Sequence, residues 1–206
     1  MYEPPLHRQD DLAAIFDLMA RHPLGLLVSH GASGLIANAI PFTRVEDGSP
    51  YGLLRAHLAR ANPQWRDLAD GAEVLVVFQG PDAYVTPSWY ATKRESGKVV
   101  PTWNYLMAQA RGTPRVFDDA DWLHAQIEQL TTEREASRPA PWAVGDAPED
   151  FVAQQMRAIV GVEIAVSALH GKWKASQNRN PADRAGVIAG LGDNPMADIV
   201  RDAAPR

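Results

Sequence analysis

Cysteine is absent from the 206 residues of the chain. Its absence excludes disulfides, a thiol nucleophile and a metal held by thiolates. No apolar run approaches the roughly 20 residues that cross a bilayer, and the N-terminal sequence MYEPPLHRQDD lacks the charged and then apolar regions of a signal peptide. We therefore expect a cytoplasmic protein with no membrane partner.

Positive charge and chemical signature motifs are also scarce. The net charge of -5 argues against a surface that generally attracts nucleic acid. The six histidines show no HxxxH spacing and no accompanying acidic cluster, so we expect no metal site. No GxSxG elbow, Walker loop or GxGxxG fingerprint lies between a strand and a helix. Hydrolase, nucleotidase and dinucleotide-binding functions therefore have no motif to support them.

What the chain does contain is a central stretch rich in strand and aromatic residues. The β-branched run Val74 to Phe78 predicts a buried strand. Gly80 to Asp82 has turn chemistry, and an extended pattern resumes over 83–89. A polar hairpin tip over 93–98 then leads into a further strand over 99–107. This part of the chain is either an ordinary aromatic meander or a wall that holds a flat cofactor with polar edges.

The remaining patterns predict an α+β barrel with helices around it. His30 to Ser33 indicates a hairpin, and His170-Gly171 indicates the end of the last strand. The candidate helix caps are Asp10 and Asp11, Asn62, and Asp118 or Asp119. Helices are predicted over 12–21, 62–71, 119–130, 149–160, 182–190 and 195–202, and further strands over 24–29, 34–42, 51–58 and 162–169.

Three polar segments are candidates for holding a phosphate and a heteroaromatic ring. The first runs from a strand end into a helix start and carries His57, Arg60 and Asn62. The second is Lys93, and the third is Lys172 to Arg179, which reads KWKASQNR. Taken singly, each is more often a surface arginine beside a routine cap, a solvated lysine or a charged loop. Together they surround the aromatic stretch with cationic and amide donors.

Several long motifs in order give the chain a family resemblance. They include HLARANPQW (57–65), VFQGPDAYVTPSWY (77–90), GKVVPTWNY (97–105) and KWKASQNR (172–179). The chain resembles the PaiB family, described as FMN-binding negative transcriptional regulators. That family is part of the flavin-binding split-barrel group, which includes the pyridoxamine-phosphate oxidases. The resemblance covers nearly the whole chain.

The resemblance implies a fold, an assembly and a cofactor. The expected fold is α+β, an antiparallel six-stranded split β-barrel of the FMN-binding type with peripheral helices. It would form a single domain over 1–206, with 181–206 as its C-terminal helical extension. The expected assembly is a homodimer with FMN at or near the subunit interface. The implied cofactor-binding residues are His57, Arg60, Asn62, Lys93, Thr102, Trp103, Asn104, Lys174, Gln177 and Asn178.

Two positions depart from the family pattern. Ala39 and Gln109 stand where, or near where, histidine is common in the family. Chemistry or haem ligation that depends on those imidazoles is therefore in doubt for this chain. The departures are also compatible with an altered or an empty flavin site.

The resemblance leaves three functions open. The first is a negative transcriptional regulator that responds to flavin or redox state, through DNA or a regulatory protein partner. The second is a small FMN-dependent oxidoreductase that uses NAD(P)H or another reductant, with Tyr90, Tyr105 and His57 as the candidate acids or bases. The third is a flavin carrier without turnover. The acidic charge balance disfavours direct DNA binding, although the helix pair around Gly192 has helix-turn-helix spacing.

Overall fold

A computed structural model describes residues 1–32 and 34–203 of the chain. Ser33, part of the predicted hairpin loop, and the last three residues of the predicted C-terminal extension lie outside the described residues. No helix in the described part is long and apolar enough to cross a membrane. The helices are α1 Leu12–Arg21, α2 Gln64–Ala69, α3 Thr92–Glu95, α4 Ala120–Glu135, α5 Glu149–Arg157, α6 Pro181–Leu191 and α7 Met196–Asp202.

The strands form one largely antiparallel sheet with more members than predicted. They are β1 Arg8–Gln9, β2 Leu24–Gly31, β3 Gly34–Pro41, β4 Thr43–Val45, β5 Leu53–Ala59, β6 Val74–Val85, β7 Thr102–Phe117 and β8 Ile159–Lys174. The order is β3-β2-β6-β7-β8-β5-β4, with β1 paired to β8. The α+β class and the antiparallel pairing are confirmed. The sheet has eight strands rather than six because the short strands β1 and β4 carry too few residues to show a period.

Side-chain hydrogen bonds confirm three of the predicted helix caps. Asp11 accepts a hydrogen bond from the backbone of Ala13 at the start of α1. Asn62 accepts one from the backbone of Gln64 at the start of α2. Asp119 caps α4, whereas its neighbour Asp118 forms an ion pair.

The described residues divide into two compact units, each built from separate stretches of chain. Unit 1 comprises Met1–Leu18, Gln79–Ala108 and His170–Arg206, and unit 2 comprises Met19–Phe78 and Gln109–Leu169. Strands β6, β7 and β8 each contribute residues to both units. Whether the chain behaves as the single domain expected from the resemblance stays a prediction.

The structure corrects four predictions about the central stretch. Residues 80–82 do not turn, because β6 continues to Val85. Pro87–Trp89 is a single turn of 3-10 helix rather than strand, and the expected hairpin tip contains the short helix α3. The following strand begins at Thr102 and runs for 16 residues, well past the predicted end.

The last strand and the helix before it also differ from expectation. Helix α5 ends at Arg157, and β8 begins at Ile159 and runs without interruption to Lys174. His170 and Gly171 therefore lie within the strand, not at its end. As a result, the first part of the KWKASQNR segment is extended backbone, and Lys172 and Lys174 lie on the same face of β8.

In unit 2, one face of the paired strands β2 and β3 is buried and the other face is exposed. Leu27 is fully buried, while the alternate residues Leu24 and Leu26 are 63% and 41% exposed. Across the pair, Leu26 lies opposite Ala39, and both side chains are exposed. Leu35, which lies on β3 with Ala39, is 77% exposed. These residues define the β2–β3 apolar face (Leu24, Leu26, Leu35 and Ala39).

Candidate functional site

Three cations of unit 1 lie near one another, and none of them has an ion pair with a carboxylate among residues 1–32 and 34–203. Two come from the end of β8, and the third follows in the next turn. We call Lys172, Lys174 and Arg179 the cationic cluster, since Lys172 and Arg179 are both close enough to Lys174 to act on its charge. Uncompensated positive charge that is partly removed from water is unfavourable, so such a cluster favours an anion.

The two lysines are held by neutral groups. Lys172 is only 8% exposed, and its Nζ donates to the carbonyl of Tyr2 at 3.1 Å. The same ammonium lies 5.4 Å and 5.3 Å from the ring centroids of Tyr2 and Tyr105. Nζ of Lys174 donates to Oγ1 of Thr102 at 2.5 Å. Each ammonium has three N–H donors, so each retains donors for a ligand.

The third cation stacks on an aromatic ring. The guanidinium carbon of Arg179 lies 4.4 Å from the ring centroid of Tyr90, which is itself fully buried. Burial raises the pKa of Tyr90, and the charge of Arg179 opposes that rise. This cation–π contact anchors the guanidinium of Arg179 against Tyr90.

The electrostatics of Lys174 reflect the unbalanced charge. Burial lowers the pKa of its ammonium group. Tyr105 opposes the shift, whereas Lys172 and Arg179 lower the pKa further. An anion placed against the cluster would reverse these repulsions.

His7 adds a fourth nitrogen-bearing group near the cluster. Burial lowers the pKa of its imidazole, a hydrogen bond with Gln177 opposes that shift, and Lys174 and Lys172 lower it further. Its Nδ1 atom is buried and has no hydrogen-bond partner in the described part of the chain. A buried polar atom without a partner is typical of a place where a ligand or water completes the structure.

Hydrogen bonds fix the turn that carries the cluster. Ser176 has a φ of 57°, in the left-handed region that few residues other than glycine adopt. The amide of Asn104 donates to its hydroxyl at 2.9 Å, and both side chains are buried. Gln177 closes the turn by donating to the carbonyl of Trp173 and accepting from the backbone of Ala175. Asn104 and Gln177 are therefore committed to shaping the turn.

The other predicted residues of unit 1 lie at its surface. Trp103 is 53% exposed and meets Tyr84 edge-on, with ring centroids 5.8 Å apart. Lys93 is exposed, and its Nζ donates to Oγ of Ser88 at 3.1 Å. The side chain of Asn178 is exposed. These groups offer an aromatic surface and polar donors.

Arg60 in unit 2 is engaged more fully than the sequence indicates. Its guanidinium binds both carboxylate oxygens of Asp118 and the carbonyls of Arg157 and Ile159, each at 2.9 Å. Hydrogen bonding from Arg60 lowers the pKa of Asp118. Four of the five N–H donors of Arg60 are thus used within the protein, which leaves little for a phosphate.

The two remaining predicted residues flank Arg60. The side chain of Asn62 caps α2. His57 lies on β5 with its Nδ1 atom 2.7 Å from Oε1 of Gln126 on α4, and it lines an apolar cavity. No group of three or more potential metal ligands occurs in the part of the chain that the structure describes.

The donor set of the cationic cluster fits a phosphate-bearing ligand. Two ammonium groups and a stacked guanidinium can neutralise a dianion, and Thr102 adds a hydroxyl. Lys174 and Thr102 were among the predicted site residues. Lys172 and Arg179 belong to the KWKASQNR motif but were not among the predicted site residues. His7 was missed altogether, since nothing in its local sequence connects the N-terminus with β8.

Comparison with known proteins gives a consistent result. A family model described as "Putative FMN-binding domain" matches residues 1–168. An uncharacterized protein of Emericella nidulans is 37% identical over 98% of this chain and 97% of its own length. The Bacillus subtilis protein named protease synthase and sporulation protein PAI 2 is 30% identical over 98% of this chain and 97% of its own length.

A solved structure supports the fold. The FAD and heme binding protein from Mycobacterium smegmatis superposes with a TM-score of 0.58 and 22% identity, covering 91% of this chain and 82% of that chain. The likeness confirms the predicted split-barrel fold.

Proposed function

The chain belongs to the family of FMN-binding split-barrel proteins that includes the PaiB type, and on that premise we propose that it binds FMN. In this proposal the protein is a cytoplasmic homodimer. It acts as a negative transcriptional regulator that responds to flavin or redox state. The observation that carries the cofactor part of this proposal is the cationic cluster. Its three cations are partly desolvated and have no carboxylate partner among the described residues. The phosphate of FMN supplies the missing negative charge.

Within unit 1, Lys172, Lys174 and Arg179 hold the phosphate, and Thr102 positions Lys174. The exposed pair Tyr84 and Trp103 offers a surface for the flavin ring. FMN, when bound, supplies one- and two-electron redox chemistry. Roles for His57, Arg60, Asn62, Lys93 and Asn178 as further cofactor contacts stay predictions, and the internal hydrogen bonds of Arg60 make it the least available of them.

Regulation is favoured over an oxidoreductase by the state of the candidate acids and bases. Tyr90 is fully buried, and burial raises the pKa of its hydroxyl, which makes it a poor proton donor near neutral pH. Tyr105 lies against the ammonium of Lys172 and is better placed to support the cluster than to exchange protons. Around the cationic cluster, more side chains are suited to bind a ligand than to transfer a proton.

The β2–β3 apolar face supports the homodimeric part of the proposal. Three exposed leucines and Ala39 lie on one face of two paired strands. An exposed apolar strip of this kind is typical of a protein–protein interface. A second copy of the chain covers it in our proposal.

A protein partner is favoured over direct DNA contact as the route to repression. On α7, Arg201 is paired with Asp198. Arg184 on α6 is buried, and its Nη2 donates to the carbonyls of Val200 and Ala203. The arginines of this helix pair are therefore committed within the protein, which leaves it a poor surface for phosphate backbones.

Three measurements on the purified protein test the proposal in sequence. Visible absorbance after FMN addition and desalting establishes whether flavin is retained. Oxidation of NADH or NADPH by the flavin-loaded protein distinguishes an enzyme from a regulator. Expression of candidate target genes with wild-type and flavin-binding-deficient protein then tests repression. Steady NAD(P)H turnover with no change in gene expression would favour the oxidoreductase instead.

A further inference from the structure

Unit 2 contains a cavity of about 470 Å³ between α4, α5 and the end of β5. Its walls are mainly aliphatic and aromatic, from Ile127, Leu130, Trp142, Val144, Phe151 and Met156. A volume of several hundred Å³ with apolar walls is typical of sites for small molecules. Every lining residue belongs to unit 2, so the cavity uses none of the cationic cluster.

The mouth of the cavity exposes aromatic surface to water. Trp142 is 48% exposed and Phe151 is 51% exposed. When a ligand covers these two half-exposed aromatic side chains, their removal from water lowers the free energy of the complex. This favours an aromatic or alicyclic occupant.

The described lining residues carry no carboxylate, ammonium or guanidinium group. A charged ligand would lose its hydration there without gaining a counter-charge. The cavity therefore selects against phosphates and carboxylates, and it favours uncharged molecules.

The imidazole of His57 lines this apolar site in an orientation that a hydrogen bond defines. Oε1 of Gln126 can only accept a hydrogen bond, so Nδ1 of His57, 2.7 Å away, is the donor. In the neutral ring, Nε2 is then an acceptor, and it has no partner among the described residues. Gln126 is 2% exposed and holds the imidazole of His57 in this orientation. An acceptor without a protein partner on a residue that lines an apolar cavity is available to a ligand donor.

We propose that this cavity binds an uncharged aromatic or alicyclic molecule that carries one hydroxyl or N–H group, which donates to Nε2 of His57. The site is separate in its residues from the proposed FMN phosphate site and does not depend on the proposed function. It gives His57 a role other than the cofactor contact predicted from the sequence.

The probe N-phenyl-1-naphthylamine tests the proposal, because it is uncharged, aromatic, carries one N–H donor and fluoresces strongly in apolar surroundings. We expect saturable binding of one probe per chain. Ala59→Phe adds a ring at a position that lines the cavity and weakens binding at least tenfold. The variant His124→Gln, which changes an exposed histidine of α4 outside the cavity, is the matched control and leaves binding unchanged.

The role of His57 is tested by removing the donor from the probe and, separately, the acceptor from the protein. The N-methylated probe, which lacks the N–H, binds wild type several-fold more weakly than the parent probe. In His57→Phe the two probes bind equally, a result that loss of packing alone would not produce. Circular dichroism confirms that each variant is folded, and Ala147→Phe replaces Ala59→Phe if that variant is not.

Three outcomes would overturn the proposal. The first is no saturable binding, and the second is binding that neither cavity-filling variant weakens. The third is competitive displacement of the probe by FMN, which would assign the cavity to the cofactor. The last outcome is distinguishable from failure of the proposed function, since FMN binding is measured in the same titration.

Discussion

Nζ of Lys174 donates a hydrogen bond to Oγ1 of Thr102 at 2.5 Å. This bond ties the end of β8 to the start of β7 within unit 1, and it holds a cation that burial and two neighbouring cations disfavour. A protein retains such an arrangement most readily when a bound anion offsets its cost. The relationship between these two residues is therefore the basis of the proposed phosphate site.

The first prediction concerns the charge of Lys174. Lys174→Met keeps most of the side-chain volume but removes a charged hydrogen bond worth roughly 1.5–3 kcal/mol. We expect FMN to bind about tenfold to a hundredfold more weakly, measured by the quenching of flavin fluorescence. Riboflavin, which lacks the phosphate, should bind both proteins equally.

Lys98→Met is the matched control, because Lys98 is an exposed lysine of the same unit. It should leave the affinity for FMN unchanged. An equal loss of FMN and riboflavin binding in Lys174→Met would indicate a structural role for Lys174 and contradict the phosphate assignment.

The second prediction concerns pH. Because the pKa of Lys174 is lowered from 10.5, its charge is lost at a lower pH than that of an ordinary lysine. The affinity for FMN should therefore fall as pH rises through that pKa, beyond any change seen with riboflavin. In Lys174→Arg the guanidinium stays charged, so the fall should disappear. A parallel decline for both flavins in wild type would argue against the assignment.

A third prediction concerns His7 and acid stability. Its pKa in the folded protein lies below 6.5, so between the two values the unfolded chain binds more protons than the folded one. The free energy of unfolding therefore decreases as pH falls from 6.5 through the folded pKa. In His7→Gln, urea titrations at several pH values should show a smaller decrease. His30→Gln, at an exposed histidine, should follow wild type; identical pH dependence in all three proteins would show that His7 does not contribute.

The fourth prediction concerns assembly. Light scattering coupled to size exclusion should give twice the chain mass for wild type. Leu26→Arg places a charge in the middle of the β2–β3 apolar face and should yield monomers, because burying an unpaired guanidinium is strongly unfavourable. Val100→Arg introduces the same charge at an exposed apolar position of unit 1 and should remain dimeric. A dimeric Leu26→Arg variant would place the interface elsewhere.

Sequence patterns predicted the fold well where one residue period dominates. The periodic apolar positions of α1 and α4 and the β-branched run of β6 gave elements of the correct type. Two glycines were misread as turns. A Cβ at Gly80 would lie 2.5 Å from Leu18, and one at Gly171 would lie 2.8 Å from Ile15. Both glycines allow α1 to approach a strand closely, and a single sequence does not distinguish this role from a turn.

The site was harder to predict than the fold because its interactions join distant parts of the chain. Arg60 and Asp118 are 58 residues apart, so nothing local showed that the arginine is occupied. The alternation of Lys172 and Lys174 would have indicated a shared face had β8 been extended through Gly171. The approach of His7 to these lysines follows only from tertiary structure.

The most direct test of the account is the visible absorbance of the purified protein before and after addition of FMN, with Lys174→Met measured alongside. The account predicts flavin bands that survive desalting in wild type and are weakened or lost in the variant. A wild-type protein that stays colourless after incubation with FMN would contradict the cofactor assignment and the flavin-dependent regulation that rests on it.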